Sequence, residues 1–132
     1  MPSVPYFNKK LIDSVRDNDL FGVNKAIKRG ADVNIKKGEA MKLAIRNNNI
    51  SILIFLIGAG GKLNDDLLVL ASVKGLSDIA RLLIFDFDIP PDIVAYECAT
   101  KLGHTDIVEM MNKYIEIKKK CHKIIIDEYT EH

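Results

Sequence analysis

The chain repeats itself, and this self-similarity limits its possible folds more than any other feature of the sequence. The stretch SVRDNDLFGVNKAIKRGADVN, which starts at Ser14, aligns without a gap with AIRNNNISILIFLIGAGGKLN, which starts at Ala44. A third copy starts at Ala71 and a fourth at Ala99, so the steps between copies are 30, 27 and 28 residues. Periods of this length indicate that one supersecondary unit is stacked several times.

Each copy contains the pattern of two short helices. Four positions after the small residue of the first helix comes a residue that suits a left-handed turn: Asn18, Asn48, Gly75 and Gly103. The second helix then carries apolar residues at spacings of one, three and four, which form a stripe along one face. A single helix pair of this size cannot bury its stripe alone, so the copies must stack into one core. The sequence therefore predicts an all-α chain.

Two motifs resemble the helix-end and inter-helix signatures of ankyrin repeats, namely GADVN at residues 30–34 and LGHTDIV at residues 102–108. The resemblance implies a single ankyrin-repeat domain over residues 1–132, built as a helix-pair solenoid of about four repeats with a C-terminal capping helix. The implied repeats are residues 8–37, 38–64, 65–91 and 92–117, and the implied cap or tail is residues 118–132.

The repeats depart from the ankyrin pattern at their openings and in their length. The family's T-P-L-H-x-A opening is replaced by EAMKLA, DLLVLA and VAYECA, and the period is shorter than the family's 33 residues. We expect the loops between repeats to be shortened, with Phe87 replacing the glycine of the third loop and Pro91 starting the next helix. Short repeats rich in Ile, Lys and Asn resemble those of large DNA viruses or intracellular bacteria, which implies a factor that engages a host protein.

Composition and charge argue against several other classes. The 19 Lys and Arg residues nearly balance the 18 Asp and Glu residues, so no global field would attract nucleic acid or anionic lipid. The longest apolar run, ISILIFLIGAG, is about half of the roughly 20 residues that a membrane helix needs, and it predicts a buried helix. Two cysteines and the absence of a secretory signal favour a reduced setting, so we expect the protein in the cytoplasm, or in the host cytoplasm for a viral or secreted factor.

Candidate chemical groups lack the partners that a reactive site needs. No phosphate-loop, nucleophile-elbow or H-E-x-x-H motif occurs, and Cys121 and His122 stand without further metal ligands at suitable spacing. The ankyrin pattern implies that His104 is a turn residue which bonds to backbone between helices. We therefore expect no enzyme activity, no catalytic or metal-binding residue and no cofactor.

The resemblance implies a protein–protein interaction module or scaffold whose partner binds the concave side, which is made by loops and by exposed positions of first helices. We expect a monomer without membrane contact. The implied partner-binding residues are Arg16, Asp17, Ile35, Lys36, Lys37, Arg46, Asn47, Val73, Lys74, Lys101 and Leu102.

Two alternatives remain open at the level of sequence. Ile54 and Phe85 occupy second-helix positions that are polar in other repeats, and such an apolar patch would bind a partner or be covered by residues 124–126. The alternative function is binding of nucleic acid or an anionic surface through a lysine-rich loop and C-terminal segment, comprising Lys36, Lys37, Lys118, Lys119 and Lys120.

Overall fold

The computed structural model describes residues 3–130, and within this range the chain forms helices and no strand. The all-α prediction is confirmed. The helices are α1 (Val4–Arg16), α2 (Leu20–Lys28), α3 (Ile35–Arg46), α4 (Ile50–Gly58), α5 (Asp65–Lys74), α6 (Ser77–Arg81), α7 (Ile93–Lys101) and α8 (Thr105–Thr130), and a π-helical segment (Leu82–Asp86) continues α6.

The turns inside the four helix pairs have the predicted conformation. Their left-handed residues are Asn18, Asn48, Gly75 and Gly103, with φ of 58°, 53°, 70° and 76°. In the first two pairs the residue after the turn is an N-cap, because Asp19 and Asn49 each accept a hydrogen bond of 3.0 Å from the amide three residues ahead. The sequence therefore located the turn within each helix pair correctly.

Contacts between helices follow the order of the copies. The first helices touch one another in succession, α1 with α3, α3 with α5 and α5 with α7, and the second helices touch in the pairs α2 with α4 and α6 with α8. One hydrophobic cluster runs through all four copies, from Leu11 in α1 to Met111 in α8. The predicted buried helix is α4, where Ile52, Leu53 and Leu56 have no exposed surface.

Polar side chains add hydrogen bonds between neighbouring copies. The Asn47 amide donates to the carbonyl oxygen of Val15 at 3.1 Å, and the Asn49 amide donates to the Asn18 side chain at 3.1 Å. The His104 ring lies 3.2 Å from the carbonyl oxygen of Val73, so His104 bonds to backbone as the sequence predicted. A Cβ at Gly75 would lie 2.6 Å from this ring, which explains why a glycine suits that turn.

The third copy contains one more helical residue than the first two. The left-handed turn residue and the left-handed residue that ends the second helix are 12 positions apart in Asn18–Gly30 and in Asn48–Gly60, but 13 apart in Gly75–Asp88. The π-helical segment absorbs the extra residue, since a π-turn holds one residue more than an α-turn. Phe87 has a φ of −108°, and Asp88 takes the left-handed conformation in its place.

One expectation about a helix start is wrong. Pro91 does not begin α7, because Asp92 is the N-cap and accepts a 2.8 Å hydrogen bond from the amide of Ala95. In α3, residues 36–38 are all left-handed, so the regular helix begins at Glu39 and Lys36 and Lys37 form a tight turn before it.

The C-terminal segment does not cap the last copy. Helix α8 continues without a break to Thr130, and every residue from 115 to 130 is exposed. A cap over residues 118–130 is therefore wrong, because a continuous helix carries these residues past the apolar surface that they were expected to cover. Residues 131–132 of the expected cap lie outside the described range. Within that range no helix has the length and hydrophobicity needed to cross a membrane.

Candidate partner-binding surface

Each of the first helices ends in a cation. Arg16, Arg46, Lys74 and Lys101 are the last residues of α1, α3, α5 and α7, and all four are exposed. A cation at this end of a helix is favoured by the helix dipole, which gives these residues a role in folding as well as in binding. Arg16 also pairs with Asp13 at 3.2 Å, whereas the ion pairs found in residues 3–130 leave the other three cations without a carboxylate.

A groove of about 270 Å³ between α3 and α5 has a lining of both charged and apolar side chains. Arg46 and Lys42 provide positive charge at one side, and Asp66 provides a carboxylate. Val73 is 41% exposed, and the half-buried Leu70 lies beside it. The remaining lining residue is Val69, so three aliphatic side chains lie next to two cations.

A larger groove of about 480 Å³ lies between α1 and the start of α3. It brings together three of the expected binding residues, Arg16, Ile35 and Lys36. Lys36 also lies 4.0 Å from Glu39, which is another lining residue. The left-handed turn at residues 36–38, within the first turn of α3, therefore places Lys36 at the groove and near an acidic neighbour.

The other expected binding residues have different surroundings. Asp17 is exposed at the end of α1, and Lys37 lines a separate depression with Asn34 and Lys62. Asn47 is engaged by its hydrogen bond to Val15, so its amide serves the contact between copies. Lys74, Lys101 and the 54% exposed Leu102 lie on the surface but line none of the grooves described here.

Sequence reasoning missed four lining residues of the α3–α5 groove. Lys42 precedes Arg46 by one helical turn, and Val69 and Leu70 precede Val73 by four and three residues. These spacings place the missed side chains on the same faces as the residues that were named. Asp66 precedes Leu70 by four residues in the same way.

The apolar alternative lies on the second helices. Ile54 is 45% exposed and Phe85 is 38% exposed. The Phe85 ring packs edge-on against Tyr114, with the ring centres 6.1 Å apart. Residues 124–126 are themselves 45–60% exposed, so the expected cover by the C-terminal isoleucines is not what the structure shows.

The clearest electrostatic contact lies near this second surface. The Tyr114 hydroxyl donates a 2.7 Å hydrogen bond to Asp88, and the Lys118 ammonium lies 3.2 Å from the same carboxylate. The hydrogen bond from Tyr114, followed by the contact with Lys118, lowers the pKa of Asp88. Burial and then the neighbouring carboxylate raise the pKa of Tyr114. Lys118 is therefore paired within the molecule, which weakens the case for a free lysine-rich segment.

The described residues contain no group of three or more His, Cys, Asp or Glu side chains placed to hold a metal ion. The Ser77 hydroxyl donates to Asp106, and this hydrogen bond lowers the pKa of the Asp106 carboxyl.

In the comparisons with known proteins, no protein-family model and no curated protein matches this sequence.

Proposed function

We propose that the chain is an ankyrin-like solenoid of helix pairs and that it is a non-enzymatic protein-binding module. The fold proposal is supported by the left-handed turn in each helix pair and by the successive contacts of the first helices. Both features repeat with the period of the sequence, whereas a bundle of unrelated helices would show neither.

The α3–α5 groove is the observation that carries the binding proposal. A protein partner would place an apolar side chain against Val69, Leu70 and Val73 and a carboxylate near Arg46. Binding energy in interfaces is concentrated in a few such central contacts, of which apolar anchors and arginines are common examples. The neighbouring cations Lys74 and Lys101 would extend the contact to an acidic edge of the partner.

The proposed setting is a reducing cytoplasm, that of the host for a viral or bacterial protein. Both cysteines are free thiols, Cys98 partly buried and Cys121 exposed. An exposed thiol persists where disulfides do not form, which fits this setting.

The test is a pull-down followed by affinity measurements with the purified partner. Arg46→Ala and Val73→Asp should each weaken binding at least about 5-fold, because both lie in the groove. Ile54→Ser and Phe85→Ser on the second helices are matched controls and should change affinity less than about 2-fold. Circular dichroism should give the same folded signal for all four variants.

Two outcomes would contradict this assignment. Loss of binding only in the Ile54 and Phe85 variants would move the binding surface to the second helices. Capture of nucleic acid, with an affinity that falls steeply as salt rises, would favour the lysine-based alternative.

A further inference from the structure

The α3–α5 groove is lined at three levels along its two helices. Arg46 and Val73 lie at the first level, Lys42 and Val69 lie at the second, and Asp66 lies at the third. The two residues of each pair are related by the 27-residue step between copies, and α3 contacts α5, so they lie side by side. Successive levels are three or four residues apart, which is about one turn of helix.

Opposite charges lie at the two ends of the groove. Its cations, Arg46 and Lys42, are in the C-terminal half of α3, whereas its carboxylate, Asp66, is in the first turn of α5. Neighbouring first helices run in the same direction, because the Asn47 amide at the end of α3 donates to the Val15 carbonyl oxygen at the end of α1. None of the ion pairs in residues 3–130 uses the three charged side chains of the groove, so they are available to a partner.

An α-helix is the partner conformation whose side chains match these levels. A helix presents side chains on one face at positions i, i+3 or i+4, and i+7, and the last lies about 10.5 Å along the axis from the first. Val73 and Asp66 are also seven helical residues apart. On one face of a β-strand the side chains recur about every 6.6 Å, so the third would lie about 13 Å from the first and pass beyond Asp66.

We propose that the groove binds one amphipathic helix of the protein partner, antiparallel to α3 and α5. This inference rests on the proposed function of the groove. An acidic residue i in the first turn of the partner helix faces Arg46. An apolar pair at i+3 and i+4 packs on Val69 and Leu70, and a cation at i+7 faces Asp66.

The order of the charges favours the antiparallel direction. Carboxylates stabilise a helix near its N-terminus, and cations stabilise it near its C-terminus. In an antiparallel partner helix, the acid opposite Arg46 and the cation opposite Asp66 lie at these favoured ends. A parallel partner helix would need the reverse order, so it would be less helical before binding and would lose more conformational entropy on binding.

Fluorescence anisotropy with three synthetic peptides of about 14 residues tests the proposal. The acid-first peptide carries Glu at i, Leu at i+3 and i+4, and Lys at i+7 in a background of Ala and Gln. The base-first peptide has the Glu and the Lys exchanged, and the proline peptide is the acid-first peptide with Pro at i+5, on the opposite face. The full chain should bind the acid-first peptide with a Kd below about 500 μM. It should bind the base-first peptide at least about 3-fold more weakly and the proline peptide at least about 10-fold more weakly.

Double-mutant cycles at about 50 mM salt test the two charge contacts. Replacement of the peptide's Glu by Gln should weaken binding to the original chain about 3- to 5-fold, but binding to Arg46→Ala by less than about 1.5-fold. Replacement of the peptide's Lys by Gln should behave in the same way with Asp66→Asn. The matched control is Asp65→Asn, because Asp65 lies in the same turn of α5 but does not line the groove. This control should keep the full response to the peptide's Lys.

Four results would overturn the inference. Equal binding of the acid-first and proline peptides would exclude the helix, and binding of the base-first peptide at least as tight would exclude the antiparallel direction. An equal loss of response in Asp65→Asn and Asp66→Asn would exclude the contact at Asp66. The fourth is that no peptide binds at about 1 mM.

The fate of the proposed function is measured separately. If no peptide binds but the pulled-down partner still depends on Arg46 and Val73, the helix is wrong and the proposed function stands. A pulled-down partner that depends on neither residue would overturn both.

Discussion

The two halves of α8 share one apolar period but have different surroundings. In the first half, Ile107 and Met111 are completely buried against the body. In the second half, Ile124 and Ile125 occupy the same kind of position and remain more than half exposed. The comparison teaches that an apolar period predicts a helix and the direction of its face, whereas coverage of that face depends on a neighbouring element.

Truncation of a side chain in each half should give the largest difference. Met111→Ala removes a fully buried side chain and should lower the free energy of unfolding by about 2–5 kcal/mol, because it loses buried surface and leaves a cavity. Ile124→Ala should change it by less than about 0.5 kcal/mol. Urea unfolding followed by circular dichroism measures both values, and equal losses would show that the second half of α8 packs on the body.

Added volume should be costly in the body and harmless in the second half of α8. Ala71 has no exposed surface in α5, which lies between α3 and α7, so Ala71→Leu should cost about 1–3 kcal/mol through overpacking. His122→Leu adds an apolar side chain at an exposed position and should change stability by less than about 0.5 kcal/mol. An unchanged thermal midpoint for Ala71→Leu would contradict the close packing of successive first helices.

Asp88 contacts Tyr114 and Lys118 where the two halves of α8 meet. Removal of this contact should have the smallest effect on stability. The pKa of Asp88 is below its ordinary value of 3.8 in the folded protein, so the contact stabilises the protein above pH 3.8. This stabilisation is lost as the pH falls through the lowered pKa. Asp88→Asn should therefore reduce the acid sensitivity of the thermal midpoint slightly, and Asp86→Asn, at a nearby exposed position, is the control. The same acid sensitivity in both variants would show that the contact does not persist in solution.

The period of the sequence repeat predicted the helix pairs. The Asn and Gly residues at a fixed position in each repeat predicted the turns, because these residues best accept a left-handed backbone. The period did not predict the π-helical segment. The loop after Asp88 is shortened, so the period of the sequence decreases even though the helix contains one residue more. The left-handed Lys36 and Lys37 were also missed, because non-glycine residues adopt this conformation only when the surrounding structure requires it.

The candidate surface was only partly predictable. Exposed helix ends such as Arg16 and Arg46 follow from the period alone. The α3–α5 groove depends on how two helices pack, so Asp66 and Leu70 became recognisable only when both helices were placed. Asn47 was assigned to binding because its position is exposed, but its amide is used for a hydrogen bond to the neighbouring copy.

Hydrogen exchange tests most directly whether α8 is divided into a half that packs on the body and a half that does not. Amides of residues 107–114 should exchange slowly, because they open only with the body. Amides of residues 119–129 should exchange rapidly, because no buried contact protects them. Equal protection of the two halves would contradict this account.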